Sequence, residues 1–171
     1  STNFGGSLVA ANAVVLGATT NSFNGPVRFY TGNQNFTAGA PAAGTFNLTQ
    51  SAALTLANNK TLTITDQKSI GAGGRGNVNL SNPGNTFGTL VFTGGNLTLA
   101  ASTGGLKAGN LSVDGAMNLA VSASTLSQVA GTNVVVVGNA TLNAPVIAFN
   151  ATANDFRGNV SLLSTGAATV V

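Results

Sequence analysis

Histidine, cysteine, glutamate and tryptophan are all absent from the 171-residue chain. Only nine residues carry charge: Arg28, Lys60, Asp66, Lys68, Arg75, Lys107, Asp114, Asp155 and Arg157. That is 5% of the chain, against about 25% in an ordinary soluble domain. General acid–base catalysis draws mainly on His, Glu and Asp with tuned pKa, so most enzyme chemistry lacks its reagents here. Without Cys there is no thiol nucleophile and no disulfide framework, and the usual Cys/His zinc sites are missing too. The composition points away from an enzyme, a metal centre or a cofactor.

Six positive charges against three negative ones give a net +3 and a pI of 10.0. Spread over 171 residues, that is a weak field. Nucleic-acid binders cluster Lys and Arg and interleave aromatic stacking groups; here the closest basic set is Lys60, Lys68 and Arg75, and Tyr30 is the lone tyrosine. Long apolar runs are also lacking. A membrane helix needs about 20 consecutive apolar residues, and the longest pure run that draws attention, Val134–Val137, is strand-sized. Ser1–Gly6 has neither the basic nor the apolar region of a secretory signal. Disordered chains are poor in apolar residues, whereas this one is 43% hydrophobic with a mean hydropathy of +0.32 and can bury a core.

What the chain does have is Gly, Asn, Thr, Ala and Ser, 106 of the 171 residues, arranged so that apolar and small polar residues alternate. Thr45–Thr49, Ala53–Ala57, Thr61–Thr65, Asn77–Ser81, Thr89–Thr93, Asn96–Ala100 and Met117–Val121 all read this way. A period of two puts Leu, Val, Ile and Phe on one face of a strand and Thr, Asn and Ser on the other. Gly and Asn punctuate the strands. No stretch carries a helical apolar period of useful length; Ser122–Val129 is too short to nucleate. Strands of four or five residues at intervals of roughly 8–12 suggest a sandwich, a barrel or a solenoid.

Internal repetition decides among these. A phrase recurs at Asn3-Phe4-Gly5, Asn21-Ser22-Phe23-Asn24-Gly25, Asn85-Thr86-Phe87-Gly88 and Asn154-Asp155-Phe156-Arg157-Gly158, each time followed by an apolar residue. The Phe positions lie 19, 64 and 69 residues apart, which equals one, three and three turns of about 19–23 residues, the scale of a solenoid coil. The expected structural repeat positions are therefore Phe4, Phe23, Phe87, Phe156, Gly25, Gly88 and Gly158. Stacked coils superpose equivalent positions about 4.8 Å apart. Phe would then sit over Phe inside, Gly or Asn would supply the positive φ of tight corners, and Asn columns would bond along the axis. A charge repeated in such a column would repel itself at every level, which explains its scarcity. About eight turns make a rod of roughly 38 Å.

The phrase Asn154–Leu162, with the stretches Phe87–Leu99 and Gly109–Val113, resembles the repeats of filamentous-haemagglutinin-type exoproteins of bacterial two-partner secretion and of related autotransporter passengers. The resemblance implies a right-handed parallel β-helix, export to the cell surface, and a role in adhesion, biofilm or fibre formation. The Asn-rich signals of that family's secretion domain are not evident, so the chain resembles shaft rather than secretion head. The lack of Cys suits passage through an oxidising periplasm.

Other motifs read as structure. Gly71-Ala-Gly-Gly-Arg-Gly76 satisfies G-x-G-x-x-G, but a dinucleotide site needs a helix next, and Asn77–Leu80 is a strand pattern. Asp66, Asp114 and Asp155 are spaced near two turns apart and could share one face about 9–10 Å apart, within reach of an inverting glycosidase pair; no Glu, His or aromatic platform supports them. No Gly-rich stretch has the Asp of a repeat calcium site. Nine N-x-[S/T] sequons, among them those at Asn47, Asn96 and Asn139, follow from the composition. Thr61, Thr63 and Thr65 align three hydroxyls, as an ice-binding face would, but the pattern is not repeated around the chain. An outer-membrane barrel would need aromatic girdles and strands of about ten residues, and a curli-like amyloid subunit would be richer in Gln.

The expectation is a single all-β domain over residues 1–171: a right-handed parallel β-solenoid, secreted or on the bacterial outer surface, acting as a structural shaft or fibre unit of an adhesin. Its expected partners are itself, by end-to-end strand stacking, and an unknown host or cell-surface glycan or protein receptor, with no nucleic acid and no membrane insertion. Ice binding and a carbohydrate-active β-helix enzyme are the alternatives. Neither terminus reads as a polar cap, so the chain is expected to be either part of a longer exoprotein or a subunit that stacks into filaments.

Overall fold

A computed structural model describes residues 75–171 other than 103, and before them residues 7–10, 13–16, 20–23, 27–31, 47–50, 53–56 and 61–66. These hold nineteen strands. In chain order they are β1 (Ser7–Ala10), β2 (Ala13–Leu16), β3 (Thr20–Phe23), β4 (Val27–Thr31), β5 (Asn47–Gln50), β6 (Ala53–Leu56) and β7 (Thr61–Asp66). Next come β8 (Asn77–Leu80), β9 (Thr89–Gly94), β10 (Leu97–Ala101), β11 (Leu106–Val113), β12 (Met117–Val121), β13 (Thr125–Gln128) and β14 (Val134–Val136). The last are β15 (Ala140–Asn143), β16 (Val146–Phe149), β17 (Asp155–Phe156), β18 (Val160–Leu163) and β19 (Ala168–Val170). No helix occurs among the described residues.

Every pairing is parallel and joins strands one turn apart, never sequence neighbours. One sheet runs β1-β4-β7-β9-β11-β13-β16-β19, and another runs β2-β5-β8-β10-β12-β15-β18; β3 and β6 form a short third pair. The chain therefore visits each sheet once per coil, and the molecule is a β-solenoid. In the first sheet the long β11 is matched by two short strands in the next turn: Leu106–Ala108 pairs with β13 and Leu111–Val113 with β14. The register shifts between Ala108 and Leu111, where Ala108 and Gly109 are both buried, as a bulge requires.

The alternation seen in the sequence is the inside–outside pattern of the coil. Along β9 and β10 every second residue is buried, and Leu90, Phe92, Leu97 and Leu99 are all 0–1% exposed. These side chains form one continuous column of core with those above and below.

Three expectations need correction. Turns are near 20 residues from Asn77 onward and again between β1 and β4, where Ser7 pairs with Arg28; between these, Ala13 pairs with Asn47 and Asn47 with Asn77, so those turns are longer. The extra residues fall between β2 and β5 and between β5 and β8, where they leave the strand register intact. The Phe phrases do not form one column: Phe87 leads into β9 of the first sheet, while Phe156 leads into β18 of the second, and Phe156 lies in register with Val136, which lies in register with Val113. The phrase is a corner device used at two different corners. Positive φ is not what the phrases use: among the described residues it occurs only at Gly104, Gly105 and Gly131, at other bends. Phe4 and Gly25 lie outside the described residues, and Phe23 ends β3.

Candidate functional site

Between the first and the second sheet the chain turns on a short recurring segment: a glycine, then Asn or Ala, an apolar residue, a polar or small one, and Leu. It appears at Gly76–Leu80, Gly95–Leu99, Gly115–Leu119, Gly138–Leu142 and Gly158–Leu162. The register stacks these segments directly on one another.

The second position forms a ladder of side-chain amides. Asn96 N–H donates to Asn77 Oδ1 at 2.9 Å, Ala116 N–H to Asn96 Oδ1 at 2.7 Å, and Asn159 N–H to Asn139 Oδ1 at 3.0 Å. Partners lie 19, 20 and 20 residues apart, one turn each time. A carboxamide here satisfies a main-chain N–H that the strand ladder leaves over at the bend. Ala116 interrupts the column: its N–H donates to the Asn96 amide below, but it has no side-chain amide to accept from the turn above. A second, shorter instance occurs in the first sheet, where Asn133 N–H donates to Asn110 Oδ1 at 3.0 Å. The sequon asparagines Asn96, Asn110 and Asn139 thus take part in stacking.

The first position is glycine because of what lies one turn below. A Cβ on Gly138 would come within 2.7 Å of the Gly115 carbonyl, and one on Gly158 would run into the Gly138 carbonyl. The corner brings backbone onto backbone, so there is no room for a side chain.

Other polar contacts serve the same end. Asn85, 0% exposed, donates through Nδ2 to the carbonyls of Leu80 (2.9 Å) and Ala100 (3.0 Å). Asn154, which holds the same place in its phrase, exchanges bonds with Gln128 (2.8 and 3.0 Å), accepts from Val134 N–H and donates to the Val171 carbonyl. Arg75 reaches over the glycine pair Gly94–Gly95 to Asp114, two turns on, at 3.2 Å. Asp155 binds Arg157 at 2.8 Å on the surface. The two described carboxylates are therefore each held by an arginine rather than facing one another, and the side chain of Asp66 lies outside the described residues.

Two further surfaces were legible beforehand. Thr61 and Thr65 are in register with Thr89 and Thr93, but Val91 faces Thr63, and the next turn brings Lys107 and Ser112. The hydroxyl array is two strands deep. Arg75 and Gly76 lead directly into β8, so the G-x-G-x-x-G stretch precedes a strand. One groove was not foreseen: about 260 Å³ in volume, it runs along the other corner past Pro83, Ala100, Ala120, Pro145 and Leu163.

Sequence reasoning fixed on Phe and missed the Gly-Asn column. A signal was present: Arg75–Leu80 and Arg157–Leu162 read Arg-Gly-Asn-Val-Asn-Leu and Arg-Gly-Asn-Val-Ser-Leu and differ at one position.

Residues 30–93 and 94–163 each match the family described as repeats of unknown function, DUF5649. The chain belongs to that family. Each DUF5649 match spans several turns: the second begins at Gly94 and closes with β18. Their length is the scale of the Phe87–Phe156 interval rather than of one coil. No curated protein and no solved structure matches the chain.

Proposed function

We propose that this DUF5649 chain is a structural extracellular shaft or fibre unit of a bacterial surface adhesin. The observation that carries the reading is the Gly-Asn corner. Side-chain amides there bond to the turn above, so that specific polar chemistry is directed along the axis of the coil and into stiffness. A stack of this kind holds whatever it bears at a set distance, which is the task of a shaft. The likeness of Asn154–Leu162 to filamentous-haemagglutinin-type repeats supports export and surface display, with a host or cell-surface glycan or protein as receptor.

Two measurements test it. Small-angle scattering of the chain should give a rod of constant cross-section, and an antibody raised against it should label intact, unpermeabilised cells of its source. A compact isotropic particle, or labelling only after permeabilisation, would overturn the reading.

A further inference from the structure

Charge is divided unequally between the two long sheets. Arg28, Asp66, Lys107 and Asp155 all lie on strands of the first sheet, whereas the seven strands of the second carry no charged residue. An ordinary solvated face would draw on the charged residues that make up about 25% of a soluble domain. From β8 to β15 the outward positions of the second sheet are Asn, Thr and Ala only.

Beyond the corner ladder, these positions form two rows along the axis. In the first, Asn79, Thr98, Asn118 and Thr141 follow one another in register, one per turn and about 4.8 Å apart. The oxygens of Asn77, Asn96 and Asn139 at the corner are taken by the stack. The carboxamides and hydroxyls of this row, by contrast, have no hydrogen-bond partner among the described residues. In the second row Ala100 and Ala120 stand in register, with Asn143 on the next turn. The two methyl groups floor the groove of about 260 Å³, which Pro83 and Pro145 flank and Asn143 lines. A row of uncharged hydrogen-bonding groups thus runs beside an apolar trough over consecutive turns. Ligand sites are built in this way, with an apolar lining and a few placed polar groups that fix orientation.

We infer that this face binds a single chain of a neutral β-1,4-linked polysaccharide laid along the solenoid axis. Such a chain is extended, carries hydroxyls along its edges and C–H groups on its faces, and advances by close to one strand spacing, about 4.8 Å, per sugar. Its C–H face lies on Ala100 and Ala120, and its hydroxyl edge meets Thr98, Asn118 and Thr141, one side chain per sugar. The absence of charge on the sheet selects for a neutral polymer, since an anionic one would lay carboxylates or sulfates on a face with no cation to pair them. The inference deepens the adhesin reading and rests on it, because it gives the glycan receptor a chemical class and a place.

The probes are cellohexaose and chitohexaose, two neutral β-1,4-linked oligosaccharides, titrated onto the isotope-labelled chain, with α-linked maltohexaose as the control. At least one β-linked probe should shift amides in β10, β12 and β15 and leave those of β9 in place, and maltohexaose should bind at least tenfold more weakly. Thr98→Val with Thr141→Val removes two hydroxyls at nearly constant shape and should weaken binding at least tenfold, while circular dichroism and the urea midpoint stay close to those of the parent. Ala120→Gln, which fills the trough, should do the same. Thr89→Val with Thr93→Val, on the first sheet, should leave binding unchanged. No shift with either β-linked probe, equal binding of maltohexaose, or full binding by the folded Thr98/Thr141 variant overturns the inference. So does a dimer of the chain formed through this face that excludes the sugar. If the sugars fail while scattering gives a rod and the antibody labels intact cells, the glycan inference falls alone; a compact particle removes the shaft reading with it.

Discussion

Gly131 and Gly138 are both glycines at bends, and for different physical reasons. Gly131 has a φ of 75° and open space where a Cβ would be, whereas Gly138 lies against the Gly115 carbonyl. Gly131→Ala is expected to cost about 1–2 kcal/mol of conformational strain, and Gly131→Asn should recover most of it because Asn tolerates that region. Gly138→Ala and Gly138→Asn should both cost about 1–3 kcal/mol, because the clash is with backbone that must move. Urea midpoints of the four variants separate the two causes; recovery by Asn at position 138 would refute the stacking explanation. The ladder is open to the opposite test. Ala116→Asn supplies the missing amide beneath Asn139 and should stabilise the protein by about 0.5–1 kcal/mol. An unchanged midpoint would mean that water serves that N–H equally well.

For a strand, what matters is whether it is covered on both sides. Leu142 and Leu162 are equivalent residues of neighbouring strands, the first 0% and the second 40% exposed. Leu142→Ala should cost about 2–5 kcal/mol, as buried leucines do, and Leu162→Ala less than about 1 kcal/mol. Equal costs would show that β18 is covered in solution. Native-state hydrogen exchange should grade in the same way, with β18 and β19 opening first and β10 and β12 last, since each strand of a solenoid is held only by its neighbours. Uniform protection across the strands would contradict that one-dimensional picture. The corner ties belong to this scale too. Asn85 donates to carbonyls on two sides of its bend, so Asn85→Asp, which faces both with a carboxylate, should destabilise by about 3 kcal/mol or more.

At the scale of the whole molecule, the path of eight strands in the first sheet makes a stack of roughly 35 Å at about 4.8 Å per turn. With nine charges in the chain and few ion pairs among the described residues, stability should shift by less than about 1 kcal/mol between low salt and 1 M NaCl. A steep loss in thermal scans across that range would show that the largely buried Arg75–Asp114 clamp contributes well beyond an ordinary surface pair. All pairings are parallel and non-local, so refolding is expected in the millisecond-to-second range or slower; microsecond refolding after dilution from urea would be at odds with the topology.

Sequence alone determined the strands and their inward faces. Thr61–Asp66, Thr89–Gly94 and Leu97–Ala101 were readable from a period of two, because one-sided burial writes itself directly into neighbouring residues. Scarce charge and recurring corners pointed to a stacked coil for the same kind of local reason. Which residues share a column was decided only by the tertiary structure. Turn length varies along the chain, so equal spacing in sequence does not mean equal place on the coil. Phe87 and Phe156 share a phrase but not a corner, and Gly76, Gly95, Gly115, Gly138 and Gly158 share a column that no constant period marks. That column exists because backbone from successive turns meets at the bend, a contact between residues far apart in sequence, and only the folded register determines which glycine lies under which.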